Sequence, residues 1–463
     1  MKNLLAITML LFLSANVAAQ NATNFDMSSL QMNNEEQPLT LEECITFAIA
    51  NNPNLQSIQL EEQANDYKIK EIKASGLPQV SGSGQWSHNY ALAEQILPGE
   101  VFGQPGESVA VKFGVANTLT GNLEMNQLLF SKSYRTGLKA VKTSQSLVKL
   151  NTFKTKEDLV YNIAQIYLQL QITEKQKEIL NANINRINLL INISQVQFEE
   201  GVIKKIDVDQ LRVNKTNLMT ELQNVEIGVA QQLNVLKFYM GMSPNSDIII
   251  AEYIQEGDRY PVSEELILTA NTNLQLLNKQ MELNELDIEN IQAGYYPTLS
   301  AFARYGWQGQ TDKLFSDDDA NKIQGSPTGV FGLSLNVPIF DGFQRKNQTQ
   351  QKQIKERQLM LDQKHLKYSI EMEFANAKNA LRQNKTLLDA QKGNMQLAEE
   401  LYGVTKLSYQ EGIAPLTELL NAEQSLKEAQ SQYLTSLLQL NLAELDQMKA
   451  SGQLAKLIQA ANN

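Results

Sequence analysis

Asn52-Pro53-Asn54-Leu55-Gln56, running on to Ala74-Ser75-Gly76-Leu77-Pro78, is written a second time as Asn271-Thr272-Asn273-Leu274-Gln275 running on to Ala293-Gly294-Tyr295-Tyr296-Pro297. At one constant offset Asn52, Asn54, Leu55, Gln56, Ile69, Ile72, Ala74, Pro78 and Ser81 all meet identical residues. Two further anchors follow in the same order. Leu123-x-Met125-Asn126 through Leu129-Phe130 matches Leu333-x-Leu335-Asn336 through Ile339-Phe340, and Phe198-Glu199-Glu200-Gly201-Val202 matches Tyr409-Gln410-Glu411-Gly412-Ile413. The unit is too long for a solenoid repeat, so the chain reads as an internal two-fold structural repeat. Its halves run from 39 to 242 and from 262 to 452, joined by a linker at 243–261 and followed by a tail at 453–463.

Within each half Gly and Pro withdraw for long stretches. Neither occurs from Leu138 to Glu200, and no Pro occurs from Ile339 to Ala414. Leu159, Ile163, Ile166 and Leu170, then Leu180, Ile184, Ile187 and Ile191, keep a coiled-coil spacing, and Ile370, Phe374, Ala377, Leu381 and Leu388 repeat it. Gly201 and Gly412 close these helices, and Pro415 stands where a second helix would return, so each half predicts a tight helical hairpin. Helices alone would fit an antiparallel coiled-coil scaffold equally well.

Four segments of period two, at about 79–91, 112–130, 298–309 and 330–340, change that balance. Val80, Trp86, Leu119, Leu123, Met125, Leu299, Tyr305, Trp307, Phe331 and Leu333 alternate with Ser81, Ser83, Gln85, Thr120, Asn122, Ser300 and Ser334. One apolar and one polar face is the pattern of an outer-membrane barrel strand, although a soluble sheet with one wet face alternates identically. Compartment favours the membrane: Lys2, an apolar run from Leu4 to Leu13 and Val17-Ala18-Ala19 predict a signal peptide at 1–19. No Cys stands near that cut, so no lipid anchor is expected. A flexible polar stretch at 20–38 follows. Trp86, Tyr90, Tyr305 and Trp307 are candidates for an aromatic girdle. Four strands leave open edges, which lipid does not tolerate, so chains must pool them. The loops within each pair, including the acidic run Asp317-Asp318-Asp319, are expected outside the cell.

Net charge is -11, which excludes a nucleic-acid surface, and the two histidines His88 and His365 lie far apart. No phosphate loop, dinucleotide fingerprint or nucleophile elbow occurs, so no enzyme activity, cofactor or metal is expected. Cys44, alone in the chain, reads as a small buried apolar residue.

With Leu41-Glu42-Glu43 ahead of Ala48 and Asn52-Pro53, the Leu77-Pro78 strand entry, Val337-Pro338-Ile339-Phe340-Asp341-Gly342 and the duplicated aromatic-x-x-Gly turns, the chain resembles the TolC family of outer-membrane channel-tunnel proteins. The likeness runs from Leu39 to about Gly452. It implies an α+β membrane protein that trimerises, each chain giving four strands to a shared twelve-stranded transmembrane β-barrel continued by a long periplasmic α-helical barrel. It also implies a passive exit duct of a tripartite efflux pump or type I secretion system, extending from the outer membrane and its lipid into the periplasm. Partners would be a periplasmic adaptor (membrane fusion) protein and an inner-membrane transporter of RND, ABC or MFS type. Glu418 and Asn421 match the family's acidic periplasmic constriction, with Asn421 replacing a carboxylate. Asp207 and Tyr409 match its gate latch, whose Arg position here is Ala414. Gly201, Val202, Ile203, Gly412 and Ile413 match the hairpin tips that meet the adaptor. The remaining alternative is a secreted coiled-coil structural or adhesive protein.

Overall fold

In a computed structural model, residues 38–98, 100, 103, 105–251, 265–314 and 323–460 are described. The expected signal peptide, all but the last residue of the expected flexible N-terminus, much of the linker and the acidic run lie outside them.

The repeated opening motif is a helix start. Asn52 Oδ1 accepts from Leu55 N at 3.0 Å with Pro53 at the first helical position, and Asn271 Oδ1 accepts from Leu274 N at 3.1 Å. Gln56 and Gln275 each return to a carbonyl six residues back, at 3.0 and 2.8 Å. An Asn side chain at this position satisfies a backbone donor that the first turn leaves orphaned. The helices so begun, α2 (Pro53–Ala74) and α5 (Thr272–Ala293), are both 22 residues long. A short α1 (Leu41–Asn51) precedes α2 behind a Thr40–Glu43 capping box.

Ser131 caps α3 (Lys132–Glu199), whose 68 residues make it about 100 Å long at 1.5 Å per residue. α4 (Lys205–Met240) returns along it over 36 residues. In the second half α6 (Gln344–Gln410) has 67 residues and α7 (Leu416–Ala450) has 35. No described helix is long and apolar enough to cross a membrane. A small α8 (Ala455–Ala460) lies in the stretch expected to be only a tail; its neighbour Leu454 and its own Ile458 bury themselves in the core, which is what orders it.

Both hairpins turn through a left-handed glycine. Gly201 has φ 75° and Gly412 φ 72°; Val202 N reaches Gln197 O at 2.8 Å and Ile413 N reaches Ser408 O at 2.9 Å, the six-to-one closure of a Schellman turn. Nothing lies within 4 Å of where a Cβ would stand at either glycine, so Gly201→Ala is expected to cost only the backbone strain, about 1 kcal/mol. A fall of about one to two degrees in apparent melting temperature would show it.

One core sits midway along α3. Leu41, Cys44, Ile45 and Ala48 of α1, Val160, Ile163, Tyr167 and Leu168 of α3, Leu236 and Met240 of α4, and Leu445 and Met448 of α7 are buried together. The described part of the linker joins here: Leu39 pairs with Ile250, and the Tyr167 hydroxyl donates to Leu39 O at 3.0 Å. Burial pushes the Cys44 thiol up to about 12, so it stays protonated. Maleimide is expected to label it only after unfolding, a contrast read directly by mass spectrometry.

The strands are β1 (Gln79–His88), β2 (Glu94–Pro98), β3 (Ser108–Lys112), β4 (Asn117–Phe130), β5 (Thr298–Thr311) and β6 (Gln324–Asn336). Four form an antiparallel sheet in the order β1-β4-β5-β6; β2 and β3 pair as a separate hairpin. This corrects three expectations. The first connection is not wholly loop, because Gln95, Ile96 and Leu97 find partners in Val111, Ala110 and Val109. The second long strand starts at Asn117 rather than near 112. The fourth runs over Gln324–Asn336 rather than about 330–340, starting earlier and ending two residues ahead of Pro338.

Candidate functional site

The sheet's register assembles a surface that no single strand carries. Val80, Met125, Ala303 and Phe331 stand in one row, with Leu123 and Tyr305 beside them. All project to one face, because side chains alternate and partners in register share a side. Val80 is 70 % exposed and Phe331 88 %, far beyond what a soluble sheet leaves to water. The opposite face carries Ser83, Asn122, Thr328 and Ser326, together with a cross-strand ion pair between Arg304 and Glu124 at 3.2 Å. Among the described residues, β1 and β6 each keep one edge unpaired.

Of the girdle candidates, Tyr305, Trp307 and Trp86 share the apolar face in successive rows running outward, with Tyr305 near mid-sheet and Trp86 farthest out. The Trp307 ring lies over Gly309 and Gly325, where any Cβ would collide with it. Tyr90 is past the end of β1 and 95 % exposed, so it stands apart from the other three. Sequence reading missed a second aromatic level at the strand–helix junction. Lys132 Nζ sits 3.7 Å from the Tyr296 ring centre, and Arg345 and Arg135 lie over Tyr295 and Phe130 at 5.3 and 5.4 Å. These contacts, worth about 0.5–1 kcal/mol each at exposed sites, tie the first turns of α3 and α6 to the end of β4 and to the turn between α5 and β5.

At the far end the two hairpins of one chain pack on each other through Leu180, Ile187 and Leu190 of α3, Leu211 and Leu218 of α4, and Leu416, Leu419 and Leu426 of α7. Glu418 occupies the first turn of α7, where a carboxylate suits the helix dipole. Glu418 and Asn421 are both exposed and about one turn apart on α7. Val202 and Ile413 project from the tips at 71 % and 79 % exposure; Gly201 and Gly412 shape those turns and Ile203 is half-buried beside them.

The structure does not bring Asp207 and Tyr409 together. Among the described residues Asp207 Oδ2 accepts from Lys204 N at 3.1 Å, capping its own helix. Tyr409 is buried, and its hydroxyl pairs with Ser194 at 2.9 Å. A carboxylate at the third position of a helix meets its own N-cap first, a local demand that a family match does not reveal. Sequence reading also missed a buried polar group above the tip: Arg186 of α3, Asn214 of α4, Tyr402 of α6 and Glu423 of α7. Asn214 Nδ2 donates to Glu423 Oε2 at 3.3 Å, and the Arg186 guanidinium stands 5.6 Å from the Tyr402 ring centre. Arg186 and Glu423 are remote in sequence, so no local signal joined them. No cluster of His, Cys, Asp and Glu fit to hold a metal occurs among the described residues.

An apolar outer sheet face with unpaired edges, continued by two helical hairpins whose longer arms run about 100 Å, defines the subunit of an outer-membrane channel with a helical extension. The fold agrees: the crystal structure of the Campylobacter jejuni CmeC outer membrane channel superposes with TM-score 0.72 at 16 % identity, over 91 % of this chain and 89 % of that one. The sequence profile of the outer membrane efflux proteins matches residues 45–242 and 265–453, and the chain belongs to that family. It is 23 % identical to the toluene efflux pump outer membrane protein TtgC of Pseudomonas putida, over 89 % of this chain and 82 % of that one. To the outer membrane protein TolC of Escherichia coli it is 22 % identical, over 84 % of this chain and 78 % of that one. The protein is thus an outer-membrane efflux channel component, in a transport family rather than an enzyme family.

Proposed function

We propose that three copies of this chain, each an internal duplication of one helix–strand–hairpin unit, pool their sheets into a twelve-stranded barrel. Their hairpins continue it as one helical tunnel, and the assembly is the passive exit duct of a tripartite efflux pump. The observation that carries this is the four-stranded sheet with one apolar face and both outer edges unpaired. Closing those edges on neighbouring copies satisfies the backbone where lipid cannot. Trp86 and Trp307 form the outer girdle, with Tyr305 on the same face nearer mid-sheet. The exposed apolar tips Val202 and Ile413 suit docking to a periplasmic adaptor, which passes cargo from an inner-membrane transporter of RND, ABC or MFS type. The chain's likeness to the toluene efflux pump protein TtgC supports a pump duct, and its 22 % identity to the alkaline protease secretion protein AprF of Pseudomonas aeruginosa supports a type I secretion duct as the second reading.

Three copies of Glu418 ring the narrowest point, a filter favouring cations. Glu418→Gln is expected to lower cation preference severalfold in planar bilayers, read from the reversal potential across a salt gradient. An unchanged reversal potential would remove Glu418 from the constriction. In the tip, Tyr409 on Ser194 replaces the matched latch. Tyr409→Phe, losing about 1 kcal/mol of hydrogen bonding per chain, is expected to raise conductance, whereas Asp207→Ala is expected to fray the start of α4.

A further inference from the structure

The polar group above the tip lies inside the seam where the two hairpins meet, and every helix of both hairpins contributes to it. From α3 come Asn183 and Arg186, which bond each other; from α4 come Asn214 and Glu221. Tyr402 comes from α6, and Glu423 and Lys427 come from α7, Lys427 paired with Glu221 across the seam. Glu423 is only 5 % exposed and Tyr402 6 %. Arg186 Nε, the Tyr402 hydroxyl and Glu423 Oε1 are all buried with no hydrogen-bond partner among the described residues. Lys427 is held by Glu221, and Glu423 itself holds only the neutral amide of Asn214.

A carboxylate in that position is poorly compensated, while a neutral carboxyl needs no counter-charge and offers a donor. Parting the hairpins would return Glu423 to water, where it ionises readily. We infer that Glu423 is the proton-sensitive member of a clasp between the two hairpins of one chain, tight while its carboxyl is neutral and loosened when it ionises. Arg186 and Lys427 oppose this by favouring the charged form, and Tyr402 and Glu221 complete the charged and titratable groups facing it. Burial outweighs the two cations and raises the Glu423 carboxyl from 4.5 to about 7. Because the packed state binds the proton more tightly than the parted one, its extra stability is complete below about pH 4.5. It is lost as pH rises to about 7.

The test uses the purified full-length protein in detergent between pH 5 and 8.5, measuring amide-exchange protection factors in segments 180–222 and 400–428. The wild type is expected to lose protection roughly tenfold or more in one step that runs from about pH 5 and levels off near pH 7. Glu423→Gln, which mimics the neutral carboxyl, is expected to stay protected throughout. Arg186→Met, removing a cation that favours ionisation, is expected to move the step to higher pH while leaving it present. A flat wild-type profile, or the same step in Glu423→Gln, would overturn the clasp. The companion readout, conductance rising through the same pH window, rests on the duct reading. Absent conductance with an intact exchange step would therefore count against the duct alone.

Discussion

Phe331→Arg is expected to stop the protein accumulating as an assembled outer-membrane species. Phe331 stands in the row Val80–Met125–Ala303–Phe331, near the middle of the sheet and on its apolar face. An arginine on the lipid side of a barrel costs about 2–4 kcal/mol near the bilayer midplane, and three copies would carry it together. Thr328→Arg is the control. It lies on the same strand but on the opposite face, in the row of Ser83, Asn122 and Gly306, where the neighbours are polar or small. Heat-resistant oligomer on an unheated gel should vanish for Phe331→Arg and persist for Thr328→Arg. Equal yields of the two would mean that the apolar face does not meet lipid.

Gly241→Val is the second large effect, and its origin lies in the equatorial core. Gly241 ends α4 at φ 74°, where L side chains are strained by about 1–2 kcal/mol. Unlike Gly201 at the tip, it also faces backbone. A Cβ would stand 2.5 Å from Asn51 O and 3.0 Å from Asn52 Cα, at the elbow between α1 and α2. Asn52 Nδ2 donates to Tyr239 O across this approach at 2.8 Å, so the elbow cannot retreat without losing a bond. Overpacking of this kind adds about 1–3 kcal/mol, for a total of about 3 kcal/mol or more. A fall of about three to six degrees in apparent melting temperature is expected for Gly241→Val, against about one to two for Gly201→Ala. Comparable shifts at the two positions would show that the elbow yields.

The contrast between these glycines marks what a sequence makes legible. Gly201 and Gly412 announce themselves by position, ending runs of apolar residues at coiled-coil spacing, and the hairpins follow from local turn chemistry. The four long strands are legible for the same reason, because alternation is a property of one segment at a time. Gly241 is not legible: its importance comes from Asn51, brought alongside only by the folded core. The β2–β3 hairpin was hidden because its connection is rich in Gly and Pro, which read as loop. Glu423 and Arg186 read as solvated helix charges until the two hairpins are placed face to face. Asp207 shows the converse. Its family match pointed across the tip, while its place in the first turn of α4 gives it a nearer partner in Lys204 N.

The shared barrel is the centre of this account, and the native mass of the protein extracted by detergent from outer membranes tests it most directly. Four strands with two open edges per chain predict a particle of three chains, closed on itself and resistant to dissociation. A monodisperse single chain, stable in water without detergent, would contradict it.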